Sequence, residues 1–318
     1  MTDLPRAVHI TEEGPREGFQ IEKGAIPTAR KIALIDALSQ TGLKRIQVVS
    51  FVNPNNVPGM ADADAVVRGI TPRPGVEYTA LWLNEKGFSR ALQFSDRLTN
   101  TGTIQLAASE KFLLRNQNRT AAQQLAGQHA IVDMYRCAGV PVERGSIMAA
   151  FGCNFEGNIP ASRVIALTQQ ILDVAQAHGV TLQYVTLADT MAWATPLAVK
   201  RLVGSLRERF ADLDFALHLH DTRGMAIANA FAGLEMGVTR FDSSVAGLGG
   251  CPFAGHQGAA GNVCTEDLVF LCHELGIETG VDLEALIACA KLAEDVVGHP
   301  LPGSVMKGGT LERFRRAG

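Results

Sequence analysis

The sequence lacks any strong excess of charge. Its 318 residues include 29 Lys and Arg and 32 Asp and Glu, and the formal net charge at pH 7 is -3. Proteins that bind nucleic acids or acidic membrane surfaces need a basic face. The balanced charge therefore argues against nucleic acids and membranes as partners.

The sequence also lacks a membrane segment, a secretory signal and a disulfide framework. Its longest apolar runs are far shorter than the roughly 20 residues that a membrane helix needs. The first residues, MTDLPRAVHI, do not combine a basic start with an apolar stretch, as a secretory signal does. The six cysteines are scattered and form no CxxC motif, which is typical of reduced thiols. We therefore expect a cytoplasmic protein.

The sequence does contain a regular alternation of β-rich apolar runs and amphipathic stretches. It predicts strands at 8–13, 45–51, 77–83, 103–108, 143–150, 182–188, 214–220 and 240–245. It predicts helices near 28–40, 61–69, 87–97, 119–138, 161–178, 196–210, 224–236 and 265–275. Strict alternation indicates a parallel sheet, and eight units of this kind indicate a closed (β/α)8 TIM barrel. An open doubly wound sheet is the alternative, but the first strand is not followed by its glycine fingerprint.

No linker or change of composition divides the chain, so we expect residues 1–318 to form one domain. A ninth helix is predicted at 282–297, where it would pack over the barrel. In such barrels the reactive groups lie at the carboxyl ends of the strands and in the loops that follow them. Polar residues at those positions are therefore the functional candidates.

Two histidines end the seventh predicted strand. His218 and His220 are two residues apart in the run LHLHDTRG, and such residues point to the same side of a strand. Buried imidazoles need a hydrogen-bond partner or a metal, and paired imidazoles with a carboxylate form a common divalent-metal site. The pattern favours a metal site over two hydrogen-bonded core histidines.

Charged and amide side chains crowd the end of the first predicted strand, in the run EEGPREGFQ at 12–20. Two glycines there would let the backbone turn. Glu17 could supply an anionic metal ligand, and Gln20 could contact a substrate. Arg16 could stabilise an enolate oxygen, because a guanidinium is a fixed cation with several donors. The alternative is a surface turn with a salt bridge.

A glycine-rich loop with a thiol follows the eighth predicted strand, from 247 to 262. Mobile loops at a barrel mouth can close over a substrate and exclude water. Cys251 is a candidate acid, base or nucleophile. Asn262 could bind the metal through its side-chain oxygen, and it precedes a helix whose predicted cap is Thr265. The loop could instead cradle a phosphate.

Other strand ends carry further polar candidates. Asp189, after the sixth strand, could act as a base or orient a metal ligand. Asn84, after the third strand, could form a hydrogen bond with a substrate. Four cations on the same side could meet the phosphates of a nucleotide-like carrier, or could simply be solvated: Lys86, Lys111, Arg115 and Arg119.

Taken together, these motifs resemble the hydroxymethylglutaryl-CoA lyase family, within the metal-dependent barrel lyases known as DRE-TIM metallolyases. The resemblance covers nearly the whole chain. It is carried by the runs GPREGFQ at 14–20, SFVNP at 50–54, NEKGF at 84–88, ADT at 188–190, HLHDTRG at 218–224, DSSVAGLGGCP at 242–252 and GN at 261–262.

The resemblance implies a divalent metal, Mg2+ or Mn2+ with Zn2+ also compatible, bound by Glu17, His218, His220 and Asn262. It implies a carbon–carbon lyase that cleaves a 3-hydroxy-3-methylglutaryl-CoA-type thioester to acetoacetate and acetyl-CoA in leucine degradation. Arg16 would stabilise the enolate and Cys251 would handle a proton. A homo-oligomer, either a dimer or a tetramer, is expected.

Three features depart from the family pattern. The family has aspartate at position 17, where this chain has a glutamate that is one methylene longer. The family has a glutamate at position 47, whereas the amide of Gln47 cannot act as a base. The loop after Cys251 is two residues longer, and the inserted His256 could supply acid–base capacity. The substrate-binding candidates are Gln20, Gln47, Asn84, Lys86 and His256.

The residues at these three departures line the predicted pocket, so the identity of the substrate stays open. The alternative is a related 3-hydroxyacyl-CoA of the citramalyl- or methylmalyl-CoA type. A Claisen synthase is disfavoured, because the similar synthases carry regulatory domains for which 318 residues leave no room. A metal-stabilised binding protein is the non-enzymatic alternative.

Overall fold

Parallel strands and the helices between them form the framework of the chain in a computed structural model, which describes residues 4–22, 24–250 and 261–315. The strands are His9–Glu12 (β1), Arg45–Ser50 (β2), Glu77–Leu81 (β3), Gly102–Ala107 (β4), Val142–Met148 (β5), Gly152–Cys153 (β6), Gly157–Asn158 (β7), Tyr184–Asp189 (β8), Asp214–Leu219 (β9) and Arg240–Ser243 (β10). Eight of them form one parallel sheet in the order β3-β2-β1-β10-β9-β8-β5-β4, and β6 and β7 form a separate antiparallel pair. The predicted (β/α)8 barrel is confirmed.

The helices follow the strands in alternation. They are Gly14–Ile21 (α1), Thr28–Leu38 (α2), Ala63–Gly69 (α3), Glu85–Leu92 (α4), Glu110–Gln117 (α5), Ala121–Cys137 (α6), Ala161–Ala177 (α7), Pro196–Arg209 (α8), Ala226–Glu235 (α9), Thr265–Glu274 (α10), Leu283–Val297 (α11), Val305–Gly308 (α12) and Glu312–Arg315 (α13). Two short 3-10 turns lie at Pro58–Met60 and Val245–Gly247. In the described ranges, no helix is long and apolar enough to cross a membrane.

The sequence pattern of α8 shows why these helices form and pack as they do. Thr195 caps its first turn by accepting a hydrogen bond from Ala198 N, and Pro196 occupies the first helical position. Val199, Leu202, Val203 and Leu206 are buried at a spacing of three to four residues, which forms one apolar stripe. All four side chains belong to the main hydrophobic core, so this stripe faces the inside of the fold.

Helix α11 corresponds to the ninth helix that the sequence predicts at 282–297. Asp282 caps its first turn by accepting a hydrogen bond from Ala285 N. The helix contacts α2 and α10, so it lies in the outer layer between these two helices. The organisation of the chain as a single domain stays a prediction.

The run at 14–18 is a helix, and the predicted turn at this place is wrong. The carbonyl of Glu13 accepts hydrogen bonds from Arg16 N and Glu17 N, so α1 begins immediately after β1. Pro15 favours this start because its fixed φ suits the first turn of a helix. Helix α1 thereby places Arg16 and Glu17 directly over the carboxyl end of the barrel.

Candidate active site

The two histidines and Glu17 converge at the carboxyl ends of β9 and β1. One ligand atom from each of Glu17, His218 and His220 lies within 4.8 Å of the others. The Nε2 atoms of the two histidines are 3.3 Å apart, and each lies 3.8 Å from an oxygen of Glu17. Two imidazole nitrogens and a carboxylate that face one point are a ligand set typical of divalent transition metals.

Asn262 joins this group from the segment that follows β10 and pairs with the residues just after β9. It forms a β-bridge with His220, while Val263 N donates to the Leu219 carbonyl at 2.8 Å. Its amide nitrogen donates to Glu17, whereas its buried Oδ1 has no hydrogen-bond partner among the described residues. A buried oxygen without a partner is costly, and a metal ion beside Glu17 would satisfy it. The four donors therefore fit a divalent metal ion.

The far nitrogens of both imidazoles are held by neighbours. His218 Nδ1 lies 3.3 Å from Asp242 Oδ2, and His220 Nδ1 lies 2.8 Å from the Thr190 carbonyl oxygen. Such partners fix each ring so that its Nε2 faces the proposed metal position, and they are typical of histidine ligands. Asp242 is not among the sequence candidates. It pairs with His218 across the β9–β10 ladder, and only knowledge of that register could have found it.

The Arg16 guanidinium lies beside this ligand set and is held from several sides. Its Nε donates to Gln47 Oε1, and its Nη1 donates to Glu17 Oε1 at 2.6 Å. Its Nη2 donates to Glu13 Oε2 at 2.5 Å. The side chain is 11% exposed, so it reaches the mouth of the barrel while its contacts stay buried. A fixed cation in this position can stabilise negative charge that develops on a substrate oxygen.

The charges of the site move the pKa values of Glu17 and His218 in opposite directions. Burial alone would raise the pKa of Glu17, but the cationic groups around it, Arg16 first, hold that pKa well below its usual value. Burial lowers the pKa of His218, but the surrounding carboxylates outweigh burial and raise it to about 9. Glu17 is thus ionised, as a metal ligand must be, and a metal ion would displace a proton from His218.

The chain is similar to one protein family over almost its whole length. The family model described as HMGL-like matches residues 7–293. The chain is 41% identical to the mitochondrial hydroxymethylglutaryl-CoA lyase of Gallus gallus over 89% of this chain and 91% of that protein. The chain belongs to the HMGL-like family. It is also 37% identical to hydroxymethylglutaryl-CoA lyase YngG of Bacillus subtilis, over 94% of this chain and 96% of that protein.

Solved structures of HMGL-like proteins agree with this assignment. The HMG-CoA lyase of Bacillus subtilis superposes with a TM-score of 0.86 at 36% identity, covering 98% of this chain and 99% of that one. An HMG-CoA lyase from Acinetobacter baumannii, in complex with coenzyme A and 3-methylmalate, superposes with a TM-score of 0.86 at 39% identity, covering 98% and 97%. These relatives are carbon–carbon lyases, and this HMGL-like chain is an enzyme of the same class.

Asp189 takes part in this HMGL-like site by holding a turn. Its Oδ1 accepts hydrogen bonds from Trp193 N at 2.7 Å and Ala194 N at 3.0 Å. The next residue, Thr190, supplies the carbonyl that His220 contacts. Burial raises the pKa of Asp189 to about 6. Its Oδ2 has no hydrogen-bond partner among the described residues, so the orienting role and the role of a base both stay predictions.

The residues predicted to contact the substrate form two groups. The inner group, Gln20 and Gln47, lies in the barrel mouth, and the outer group begins with Asn84 at the start of α4. Gln47 is buried and its oxygen accepts from Arg16, while Gln20 Oε1 accepts from Ser50 Oγ at 3.3 Å. Asn84 caps α4 by accepting from Gly87 N at 3.0 Å. A cavity of about 280 Å³ beside β3 and β4 is lined by both Gln47 and Asn84, and so connects the two groups.

The remaining predicted cations lie in the outer group. Arg119 lines the same cavity, and Lys86 is exposed on α4. Lys111 and Arg115 are exposed on α5, and the Arg115 guanidinium lies 4.4 Å from the ring centre of Phe155. All four therefore follow the carboxyl ends of β3 and β4, on one side of the mouth.

Cys251 and His256 lie outside the described residues, but the two ends of their loop are described. Gly249 has a φ of +92°, and a Cβ added there would lie 2.8 Å from Glu17 Cβ. A Cβ added at Gly261 would lie 2.0 Å from the Gly249 carbonyl oxygen. The two ends of the loop therefore pack against each other and against the proposed metal ligand.

Replacing Gly249 by alanine is expected to disturb metal binding through this contact. The added methyl group would push Glu17, so we expect Mn2+ affinity, measured by isothermal titration calorimetry, to fall about 10–100-fold. Backbone strain should also lower the free energy of unfolding by about 1–3 kcal/mol.

Gly276→Ala is the matched control, because Gly276 has a φ of +72° but no atom within 4 Å of an added Cβ. It should carry the backbone strain alone and leave Mn2+ affinity unchanged. Equal Mn2+ affinity in both variants would contradict the proposed packing of the loop on Glu17.

Glu12 is a further buried residue that sequence reasoning missed. It accepts hydrogen bonds from Gly14 N at 2.7 Å, Val245 N at 2.9 Å and Thr265 Oγ1 at 2.6 Å. The sequence predicts that Thr265 caps α10, and this prediction is wrong. Cys264 precedes the helix, and the Thr265 hydroxyl donates to Glu12 instead. Glu12 joins the start of α1 to the segment that leads into the glycine-rich loop.

Proposed function

We propose that this chain cleaves 3-hydroxy-3-methylglutaryl-CoA to acetoacetate and acetyl-CoA, with Mg2+ or Mn2+ bound. The observation that supports this most is the position of Arg16 Nη1, 2.6 Å from the Glu17 carboxylate that also faces His218 and His220. A ligand set for a divalent metal and a fixed cation thereby meet at one point of the barrel mouth. This arrangement suits a reaction in which negative charge moves from a hydroxyl oxygen to a thioester oxygen.

The reaction follows from these side chains. Glu17, His218, His220 and Asn262 would hold a divalent ion, which would supply the Lewis acidity that lowers the pKa of a hydroxyl group. We assign the role of base to Asp189, whose Oδ2 has no hydrogen-bond partner among the described residues. When the hydroxyl proton passes to this base, the O–H electron pair forms the keto group and the adjacent carbon–carbon bond breaks. The electrons of that bond pass to the thioester carbonyl as an enolate, whose oxygen Arg16 stabilises. The enolate carbon then takes up a proton, the step we assign to Cys251.

The carrier would lie over the outer group of polar residues. Asn84 and Arg119 line the cavity that reaches Gln47, and Lys86, Lys111 and Arg115 are exposed nearby. Cations at the mouth of a barrel suit the phosphates of coenzyme A. The Acinetobacter baumannii structure, which contains coenzyme A, supports a carrier of this kind.

A related substrate is the second candidate. The Acinetobacter baumannii HMG-CoA lyase was solved with 3-methylmalate, a hydroxy acid close to the acyl group of methylmalyl-CoA. Glu17 and Gln47, which depart from the family pattern, both contact Arg16 and so lie where the acyl group would react. A citramalyl- or methylmalyl-CoA-type thioester is therefore the alternative.

A panel of thioesters separates these candidates. The purified protein is incubated with Mg2+ or Mn2+ and with 3-hydroxy-3-methylglutaryl-CoA, citramalyl-CoA or methylmalyl-CoA, and the released acyl-CoA and oxo acid are measured. We expect the highest kcat/KM with 3-hydroxy-3-methylglutaryl-CoA, and loss of turnover in EDTA that Mn2+ restores. A higher value with another thioester would select the alternative substrate. No turnover of any thioester by protein that binds Mn2+ would refute the lyase proposal.

The setting of the enzyme is part of the same proposal. We assign it to the cytoplasm, to leucine degradation and to a homo-oligomer, either a dimer or a tetramer. Five of its cysteines are free thiols in the described residues, which supports a reducing compartment. Light scattering after size-exclusion chromatography tests the oligomeric state, since a monomer would contradict it.

A further inference from the structure

Glu13 is a buried carboxylate at the junction of β1 and α1. Its backbone N donates to the Ser243 carbonyl at 2.8 Å, and its carbonyl accepts from the first amides of α1. The residue is 2% exposed. Its backbone is thus anchored to both the barrel and the helix that carries Arg16, which leaves its side chain little freedom.

The carboxylate of Glu13 lies between two functional side chains. Its Oε2 accepts from Arg16 Nη2 at 2.5 Å and lies 3.6 Å from His218 Nδ1. The Nε2 atom of His218 faces His220, so Glu13 is on the opposite side of the ring from the proposed metal ligands. Glu13 is therefore placed to act on Arg16 and not to bind the metal that Glu17 would hold.

The neighbours of Arg16 show why this carboxylate matters. A guanidinium has five N–H donors, and three are used by Gln47, Glu17 and Glu13. Gln47 is neutral, and Glu17 would share its charge with a metal ion. Glu13 is thus the carboxylate that is left to pair with Arg16, and it fixes the guanidinium with two N–H groups remaining for a substrate oxygen.

We propose that Glu13 is a positioning residue, which holds the Arg16 guanidinium in the orientation that stabilises the enolate oxygen. Besides Glu17, Arg16 contacts one more carboxylate, that of Glu13, which directly follows β1. Strand β2 contributes the neutral amide of Gln47. The inference rests on the proposed function, in that it assigns the work of Glu13 to the same reaction.

Two substitutions and their combination test this role. Glu13→Gln is expected to lower kcat about 10–100-fold. KM should change little, because Arg16 acts on charge that forms only in the transition state. Adding Gln47→Glu returns a carboxylate to the other side of Arg16, and kcat should then rise about tenfold over Glu13→Gln alone.

The control is Glu143→Gln, which removes a carboxylate from Arg45 at the amino ends of the strands. It should leave kcat unchanged. Wild-type kcat in Glu13→Gln would overturn the proposal, as would a loss that Gln47→Glu does not relieve. If Glu13→Gln does not fold, Glu13→Asp takes its place. That variant keeps the charge at a shorter reach, and an unchanged kcat would again overturn the proposal.

A readout without turnover separates this inference from the proposed function. The Nε–H signal of Arg16 in protein labelled with 15N-arginine can be assigned from its loss in Arg16→Lys. Glu13→Gln should accelerate its hydrogen exchange, because the guanidinium loses one of its anchors. Faster exchange in a protein that cleaves no thioester would refute the function and keep the positioning role. Unchanged exchange and kcat in an active enzyme would refute the positioning role alone.

Discussion

Replacing His220 by alanine is expected to lower kcat about a thousandfold or more and to weaken Mn2+ binding severely. His220 Nε2 lies 3.3 Å from His218 Nε2 and 3.8 Å from a Glu17 oxygen. The alanine variant therefore loses one of the proposed metal ligands. Lewis acidity contributes several kcal/mol to charge stabilisation in the transition state, and each 1.36 kcal/mol corresponds to a tenfold change in rate. The measurements are kcat at saturating Mn2+ and Mn2+ affinity by calorimetry.

The matched control for this prediction is a histidine pair outside the site. His178 Nε2 lies 2.9 Å from His129 Nδ1, and its Nδ1 lies 2.9 Å from Asp133 Oδ1, on the outer helices. His178→Ala should leave both kcat and Mn2+ affinity unchanged. Full activity of His220→Ala in the presence of EDTA would show that the reaction needs no metal at this place.

Arg16→Lys is expected to lower kcat about a hundred- to a thousandfold while leaving Mn2+ affinity within a small factor of wild type. A lysine keeps the positive charge, but its single ammonium cannot reach Gln47, Glu17 and Glu13 together. The cation would therefore lose the fixed geometry that stabilises an enolate oxygen. The test is steady-state kinetics with 3-hydroxy-3-methylglutaryl-CoA, together with Mn2+ calorimetry.

Arg207→Lys provides the comparison for this second prediction. Arg207 lies on α8 and donates to the Gly237 carbonyl at 2.8 Å, away from the carboxyl ends of the strands. Its conversion to lysine should leave kcat unchanged. If Arg16→Lys lost Mn2+ affinity in proportion to kcat, Arg16 would be acting through Glu17 and not on the substrate.

The barrel and its central pair of histidines were accessible from the sequence because both depend on short-range periodicity. Strands such as β8 are buried on both faces and therefore read as apolar runs, while the stripe on α8 repeats every three to four residues. His218 and His220 are two residues apart, and the alternation of a strand places them on one side before any contact is known. The structure also brings together Glu17 and Asn262, which sequence motifs had nominated, although their roles remain proposals.

The predicted turn after β1 was wrong because two glycines suggested flexibility. Gly14 is instead required by crowding, since a Cβ there would lie 2.5 Å from Glu12 Oε1. Helix α1 forms because Glu12 accepts the Gly14 amide and Glu13 accepts the amides of the first turn. That arrangement depends on burial of Glu12 against Val245, which is distant in the sequence.

By itself, the sequence determined the barrel, the family resemblance and the side of the strand on which the paired histidines lie. Each of these follows from patterns within one element or one motif. Only the tertiary structure decided that Asp242 orients His218 and that Glu13 faces Arg16. These contacts depend on the register of β10 against β9 and on the angle at which α1 leaves β1. Such geometry is set by packing between distant segments, and no local pattern encodes it.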